Sequence, residues 1–135
     1  MHHESSLKVR FSETDLLGHV NNSSYFVYLE QARVDFFSDL VPESSGKEWH
    51  FILASVKCDF LKQAFFNQKL TVVTKVKKVG NKSFQLVQII YDSETNAKIA
   101  YSESAIIYYN FQTQKSEPLP TFIRETLLAY LVESE

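Results

Sequence analysis

A single long helical period sits in a chain that otherwise alternates. Between residues 21 and 40, Tyr25, Leu29, Ala32, Phe36 and Leu40 recur at steps of four, three, four and four, so they share one face of an α-helix. Most other apolar stretches repeat every second residue, the period of a strand. One helix with an apolar face, set among strands, must bury that face against a sheet.

Residues 7–11 set Leu7, Val9 and Phe11 against Lys8 and Arg10. Residues 51–60 read as a largely buried strand, with Ile52, Leu53, Val56 and Phe60 available for packing. Residues 70–79 place Leu70, Val72, Thr74 and Val76 opposite Lys75 and Lys77. Gly80 and Asn81 signal a hairpin, because both tolerate positive φ. Residues 83–92 return, residues 93–96 turn again, and residues 98–111 form a last long strand. Pro42 and Gly46 mark a loop after the helix. Pro118 and Pro120 precede an amphipathic tail helix with Phe122, Ile123, Leu127, Tyr130 and Leu131 on one side. The expectation is an α+β chain, one domain over residues 1–135, in which a curved five-stranded antiparallel sheet wraps round one long helix, with a C-terminal helix added.

Composition excludes several function classes. A net charge of −2 with pI near 6.1 makes no electrostatic case for nucleic acid. Cys58 is the lone cysteine, so neither an intramolecular disulfide nor a cysteine-based zinc site can form. Three glycines, widely spaced, rule out a dinucleotide fingerprint or a P-loop, and no Gly-x-Ser-x-Gly elbow is present. His19 and His50 lack neighbours at metal-ligand spacing, so no metal is expected. No apolar run is long enough to span a membrane and no secretion signal precedes it, so a cytoplasmic protein is expected. His2 and His3 are read as an unordered terminus.

The segment before the helix carries the chemistry. Asp15, Gly18, His19, Asn21 and Asn22 form a polar turn, and Asn21, Asn22 and Ser23 are good helix N-caps. A carboxylate just before a helix N-terminus lies near unpaired N–H donors, a combination suited to acyl chemistry. The bland reading is that Asp15 only makes an Asx-turn.

The run Asp15-Leu16-Leu17-Gly18-His19-Val20-Asn21-Asn22, then Tyr25, then Glu30-Gln31-Ala32-Arg33, resembles the opening of hotdog-fold acyl-CoA thioesterases, in the branch related to 4-hydroxybenzoyl-CoA thioesterase. The likeness runs from about residue 7 to about residue 110. It implies a hotdog fold that hydrolyses acyl-CoA, aliphatic or aromatic, without a cofactor. Asp15 would be the base or nucleophile and the amide near Asn22 the oxyanion donor, with Asn21 beside the substrate. His19 would be a second acid/base or a polar contact. Relatives acting on acyl carrier proteins place a catalytic Asn two residues before such a His, and here Leu17 stands there.

The resemblance further implies an acyl pocket lined by Tyr25, Phe26, Leu29 and Phe60, which any core could also contain. Relatives meet the CoA phosphates across a subunit interface near the residue 80–81 hairpin, where Asn81 and Lys82 are the stronger candidates among Lys75, Lys77, Lys78 and Lys82. A solvated strand end explains those lysines equally well. Relatives often carry Pro-Ala and then Gly-Asp where this chain has Gln63-Ala64 and Asn67-Gln68, and Asn67 can keep the bend through positive φ. Glu30 is read as solvated. Val73, Val87, Ile89 and Tyr91 on the second sheet face point to a buried interface, hence a homodimer or homotetramer. An acyl-carrier-protein thioesterase and a non-catalytic module binding acyl ligands or a protein partner remain the alternatives.

Overall fold

A computed structural model describes residues 1–15, 17–41 and 50–132. Strand β1 spans His3–Lys8, helix α1 Asn22–Leu40, β2 Phe51–Phe60, β3 Lys69–Val79, β4 Ser83–Asp92 and β5 Lys98–Asn110. A two-residue β6, Lys115–Ser116, pairs antiparallel with the end of β5, and helix α2 covers Thr121–Ala129. The strands pair antiparallel in the order β1-β3-β4-β5-β2. The loop expected around Pro42 and Gly46 lies outside the described residues.

The helix period does what the sequence implies. Tyr25, Leu29, Ala32, Phe36 and Leu40 are all buried. Each large apolar side chain moved out of water contributes about 1.5–3 kcal/mol, and none of these faces solvent. Tyr25, Leu29 and Ala32 pack with Val72, Ile90 and Ala100, whereas Phe36 and Leu40 pack with Val76, Phe84, Ile106 and the α2 residues Ile123 and Leu127. On β3, Leu70, Val72, Thr74 and Val76 are fully buried as the alternation requires. A polar node joins helix to sheet: Gln88 donates to the Leu29 carbonyl and to Thr74 Oγ1, both at 3.1 Å, and accepts from Arg33 Nη1 at 3.2 Å.

Five expectations need correction. The first strand lies toward the N-terminus of its expected place, and Phe11–Glu13 is a 3₁₀ turn that leaves Phe11 exposed. His3 is not frayed: it pairs with Thr74, its Nε2 lies 3.1 Å from Asp39 Oδ2, and its ring meets Phe36 edge-on. Strand β2 lies at one edge of the sheet and is mostly exposed rather than buried, with Leu53 at 41% and Phe60 at 42%. The hairpin at Gly80 forms, closed by a Gly80 N–H to Ser83 carbonyl bond of 2.7 Å, but neither Gly80 nor Asn81 takes positive φ. Val73, Val87 and Ile89, expected to need an interface, are already covered by their own chain at 8–9% exposure, and of that set only Tyr91 is partly exposed.

The loop between β2 and β3 positions the site. Asn67 adopts φ 68°, the positive φ expected to keep the bend there. Phe66 N–H donates to the Gly18 carbonyl and Val20 N–H to the Ala64 carbonyl, and His19 bridges Phe65. The polar turn is thus zipped to this loop. No described helix is long and apolar enough to cross a membrane.

Candidate active site

Local chemistry dictates the shape of the polar turn. Asp15 Oδ1 accepts from Leu17 N–H at 2.9 Å and His19 N–H at 3.3 Å, while Asp15 N–H donates to the His19 carbonyl at 2.8 Å. Gly18 N–H returns to the Asp15 carbonyl at 3.1 Å, with Gly18 at φ 79°, a conformation that side chains with a Cβ resist. The Asx-turn is therefore real. It consumes only one carboxylate oxygen, and no described residue donates to Oδ2.

Helix α1 begins immediately afterwards. Asn21 is the N-cap, its side-chain oxygen accepting from Ser23 N–H at 3.0 Å and its carbonyl from Ser24 N–H at 2.9 Å. Those bonds satisfy the second and third amides of the helix. The first, Asn22 N–H, meets no acceptor among the described residues. An unspent amide at the positive end of a nineteen-residue helix is a ready donor to a developing anion.

Asp15, His19, Asn21, Asn22, Tyr25 and Phe60 line one open cavity of about 520 Å³, completed by Val20, Leu61, Lys62 and Gln63. Tyr25 is only 2% exposed, and its hydroxyl oxygen accepts from Ala64 N–H at 3.0 Å. Burial pushes its phenol above the ordinary tyrosine value, the Ala64 N–H bond opposing this only in part, so it stays protonated at neutral pH. Phe60 packs on Tyr25 and on Phe26, with centroids 5.3 and 6.1 Å away. The His19 ring lies edge-on to Phe65 at 4.9 Å.

The fold does not assemble every residue singled out from the sequence. Phe26, at 37% exposure, flanks Phe60 outside the cavity lining. Leu29 is fully buried in the core and reaches no part of the cavity. Asn81 and Lys82 stand at the far end of β3, ten strand residues or more from the 61–68 loop, so one chain does not bring them to Asp15. There the Asn81 carbonyl is taken by Leu119 N–H and Arg124, and Lys77 pairs with Glu103 at 3.1 Å. Glu30 is exposed on α1.

Sequence reading missed Glu13. It is 8% exposed beneath the turn, bound by Arg10 and by Tyr28 of α1. The Arg10–Glu13 spacing of three residues, with Tyr28 one turn after Tyr25, was the available signal. Leu61, Lys62 and Gln63 were missed because no periodicity marks a loop.

The chain matches the thioesterase-like superfamily over residues 9–127. It belongs to that superfamily. The kinship with hotdog acyl-CoA thioesterases read from residues 13–33 therefore holds. The chain is 26% identical over 126 residues to the long-chain acyl-CoA thioesterase FadM of Escherichia coli, covering 92% of this chain and 96% of that one. It is 29% identical over 131 residues to the acyl-CoA thioesterase YbgC of Helicobacter pylori, covering 90% and 97%. A predicted thioesterase from Bacillus stearothermophilus superposes with TM-score 0.92 at 28% identity over the whole of both chains. The hotdog architecture of this family member is thus shared end to end.

Proposed function

We propose that this thioesterase hydrolyses acyl-CoA at the cavity between the polar turn and α1, with Asp15 as base or nucleophile and the Asn22 amide as oxyanion donor. The observation that carries the roles is one cavity lined by both groups, with Asp15 Oδ2 and Asn22 N–H each unspent among the described residues. The family and the two acyl-CoA thioesterase relatives support the substrate class.

Elementary chemistry makes so sparse a site sufficient. A thioester carbonyl is electrophilic and a thiolate leaves without strong acid assistance. Along the general-base route, Oδ2 takes a proton from water as its oxygen attacks the carbonyl carbon. The negative charge then rests on the former carbonyl oxygen, held by the Asn22 N–H; its collapse breaks the C–S bond, Oδ2 returns its proton to the departing thiolate, and free acid and CoA thiol leave. Along the nucleophilic route Oδ2 itself attacks, CoA thiolate leaves, and water cleaves the resulting anhydride. Tyr25, Phe60 and Leu61 supply apolar contact beside the reacting centre, and His19 a polar one.

Self-association is part of this reading. The outer side of β2 is an unpaired edge carrying exposed Leu53 and Phe60, which a second copy of the chain would cover. Asn81 and Lys82 could then serve a partner's cavity rather than their own. Sedimentation equilibrium at micromolar concentration is expected to show a dimer or tetramer, and a monomer would remove this element. A single cysteine agrees with the reducing cytoplasm we propose for the protein.

The deciding experiment is thiol release from a panel of acyl- and aroyl-CoAs, run with wild type, Asp15→Asn and Asp15→Ala. Turnover in the wild type and its loss in both variants is expected. Equal activity in Asp15→Ala would overturn the assignment. The same acyl groups offered on carrier protein separate the alternative substrate.

A further inference from the structure

We propose that Glu13 is a positioning residue that sets the spacing between the Asp15 carboxylate and the Asn22 amide; this inference rests on the roles proposed for those two groups. Among the described residues Glu13 is the one carboxylate in the buried charged set, and no step of the hydrolysis uses it. Its bonds join the base of the polar turn, the N-cap of α1 and the body of α1. Oε1 accepts from Arg10 N–H at 2.8 Å and from the Tyr28 hydroxyl at 2.9 Å. Oε2 accepts from Arg10 Nη2 at 2.7 Å and Nε at 3.2 Å. Its backbone carbonyl accepts from Asn21 N–H at 2.8 Å.

These bonds form a closed frame. The Glu13–Asn21 bond cinches the base of the loop that carries Asp15 and His19, reinforced by the Thr14–Val20 bridge just above it. The Tyr28 bond fixes that base against α1 almost two turns beyond the N-cap. Arg10 is largely exposed, so it serves Glu13 as a clamp rather than as a buried charge. Acid and amide lie on opposite sides of a joint whose pin is Glu13. Misplacing reacting groups by about 1 Å can slow a reaction on the order of a hundredfold without weakening ground-state binding.

The test is Glu13→Gln. Glutamine keeps one oxygen for Tyr28 and Arg10 N–H but turns an amide donor toward the guanidinium, so the frame loosens without a cavity. The expected result is kcat lower by about 10- to 100-fold with KM within about twofold. Tyr28→Phe removes the bond from α1 to Glu13, which Glu13→Gln keeps, and should likewise lower kcat with KM within about twofold. A stability control is Ile123→Val beneath α2, which should lower Tm with kcat unchanged. Amide hydrogen exchange at Asn21, measured on the same proteins, should quicken at least about tenfold in Glu13→Gln and stay put in Ile123→Val. Unchanged kcat, or a loss equal to that of the control, overturns the proposal. If wild type releases no thiol from any acyl-CoA, the functional reading fails instead, and the exchange rate at Asn21 alone decides whether Glu13 pins the joint.

Discussion

The hydroxyl oxygen of Tyr25 accepts the backbone N–H of Ala64 at 3.0 Å, and both residues are buried. Through that bond α1 holds the 61–68 loop, which supplies Leu61, Lys62 and Gln63 to the cavity wall. Tyr25→Phe would leave the Ala64 amide without its acceptor in a place water does not reach. The expected cost is about 1–3 kcal/mol in urea unfolding. A raised KM with a smaller change in kcat should accompany it. An unaltered unfolding midpoint would mean that the neighbouring Val20–Ala64 bond holds the loop unaided.

Asp15→Asn separates the turn-forming role of Asp15 from the chemical one. Asparagine retains a side-chain oxygen able to accept from Leu17 and His19 N–H, so the turn persists. Tm should therefore stay within about 2 °C while thiol release drops at least about a hundredfold. Asp15→Ala loses both roles and should fall in Tm as well. A parallel fall in stability and activity across both variants would point to the turn alone.

Gln88→Leu tests the polar node under α1. It strips acceptor or donor from Arg33 Nη1, Thr74 Oγ1 and the Leu29 carbonyl, all in the core. Burial already holds the Arg33 guanidinium below its ordinary pKa, with Glu30 opposing. Losing its acceptor is expected to cost about 3 kcal/mol. Chemical denaturation reads this directly, and a neutral substitution would show that Arg33 finds another partner.

Acid stability should depend on Glu13. Burial raises its carboxyl pKa, but the bonds from the Arg10 side chain and backbone and from Tyr28 together outweigh burial and hold it below the ordinary glutamate range. A group lowered in the folded state binds protons more readily once unfolded. Its contribution is therefore complete above the ordinary value and lost as pH falls toward the folded one. Wild type should lose Tm on acidification through that window, and Glu13→Gln should show a shallower decline there. Identical Tm-against-pH curves would contradict this.

Much of this could be read from residue order, because local periods report which face is buried. The 25-29-32-36-40 stripe, the buried Leu70, Val72, Thr74 and Val76 of β3, and the N-cap at Asn21 are all short-range consequences of side-chain chemistry. So is the Asn67 bend, where a residue tolerant of positive φ turns the chain. The likeness of residues 13–33 to a known motif placed Asp15 and Asn22 together before any coordinates did.

What the tertiary structure alone decided was neighbourhood and exposure. The apolar residues of β2 look like core in sequence, yet the strand order puts them on an open edge. Leu29 and Tyr25 share a stripe, but only Tyr25 reaches the cavity, since a helix face meets the core along one part of its length and the loop along another. Glu13 carries no periodic signal, and its importance comes from Asn21 and Tyr28, eight and fifteen residues away, folding back upon it. Local chemistry shaped each element of this protein; long-range closure of the chain determined which of those elements face one another across the cavity.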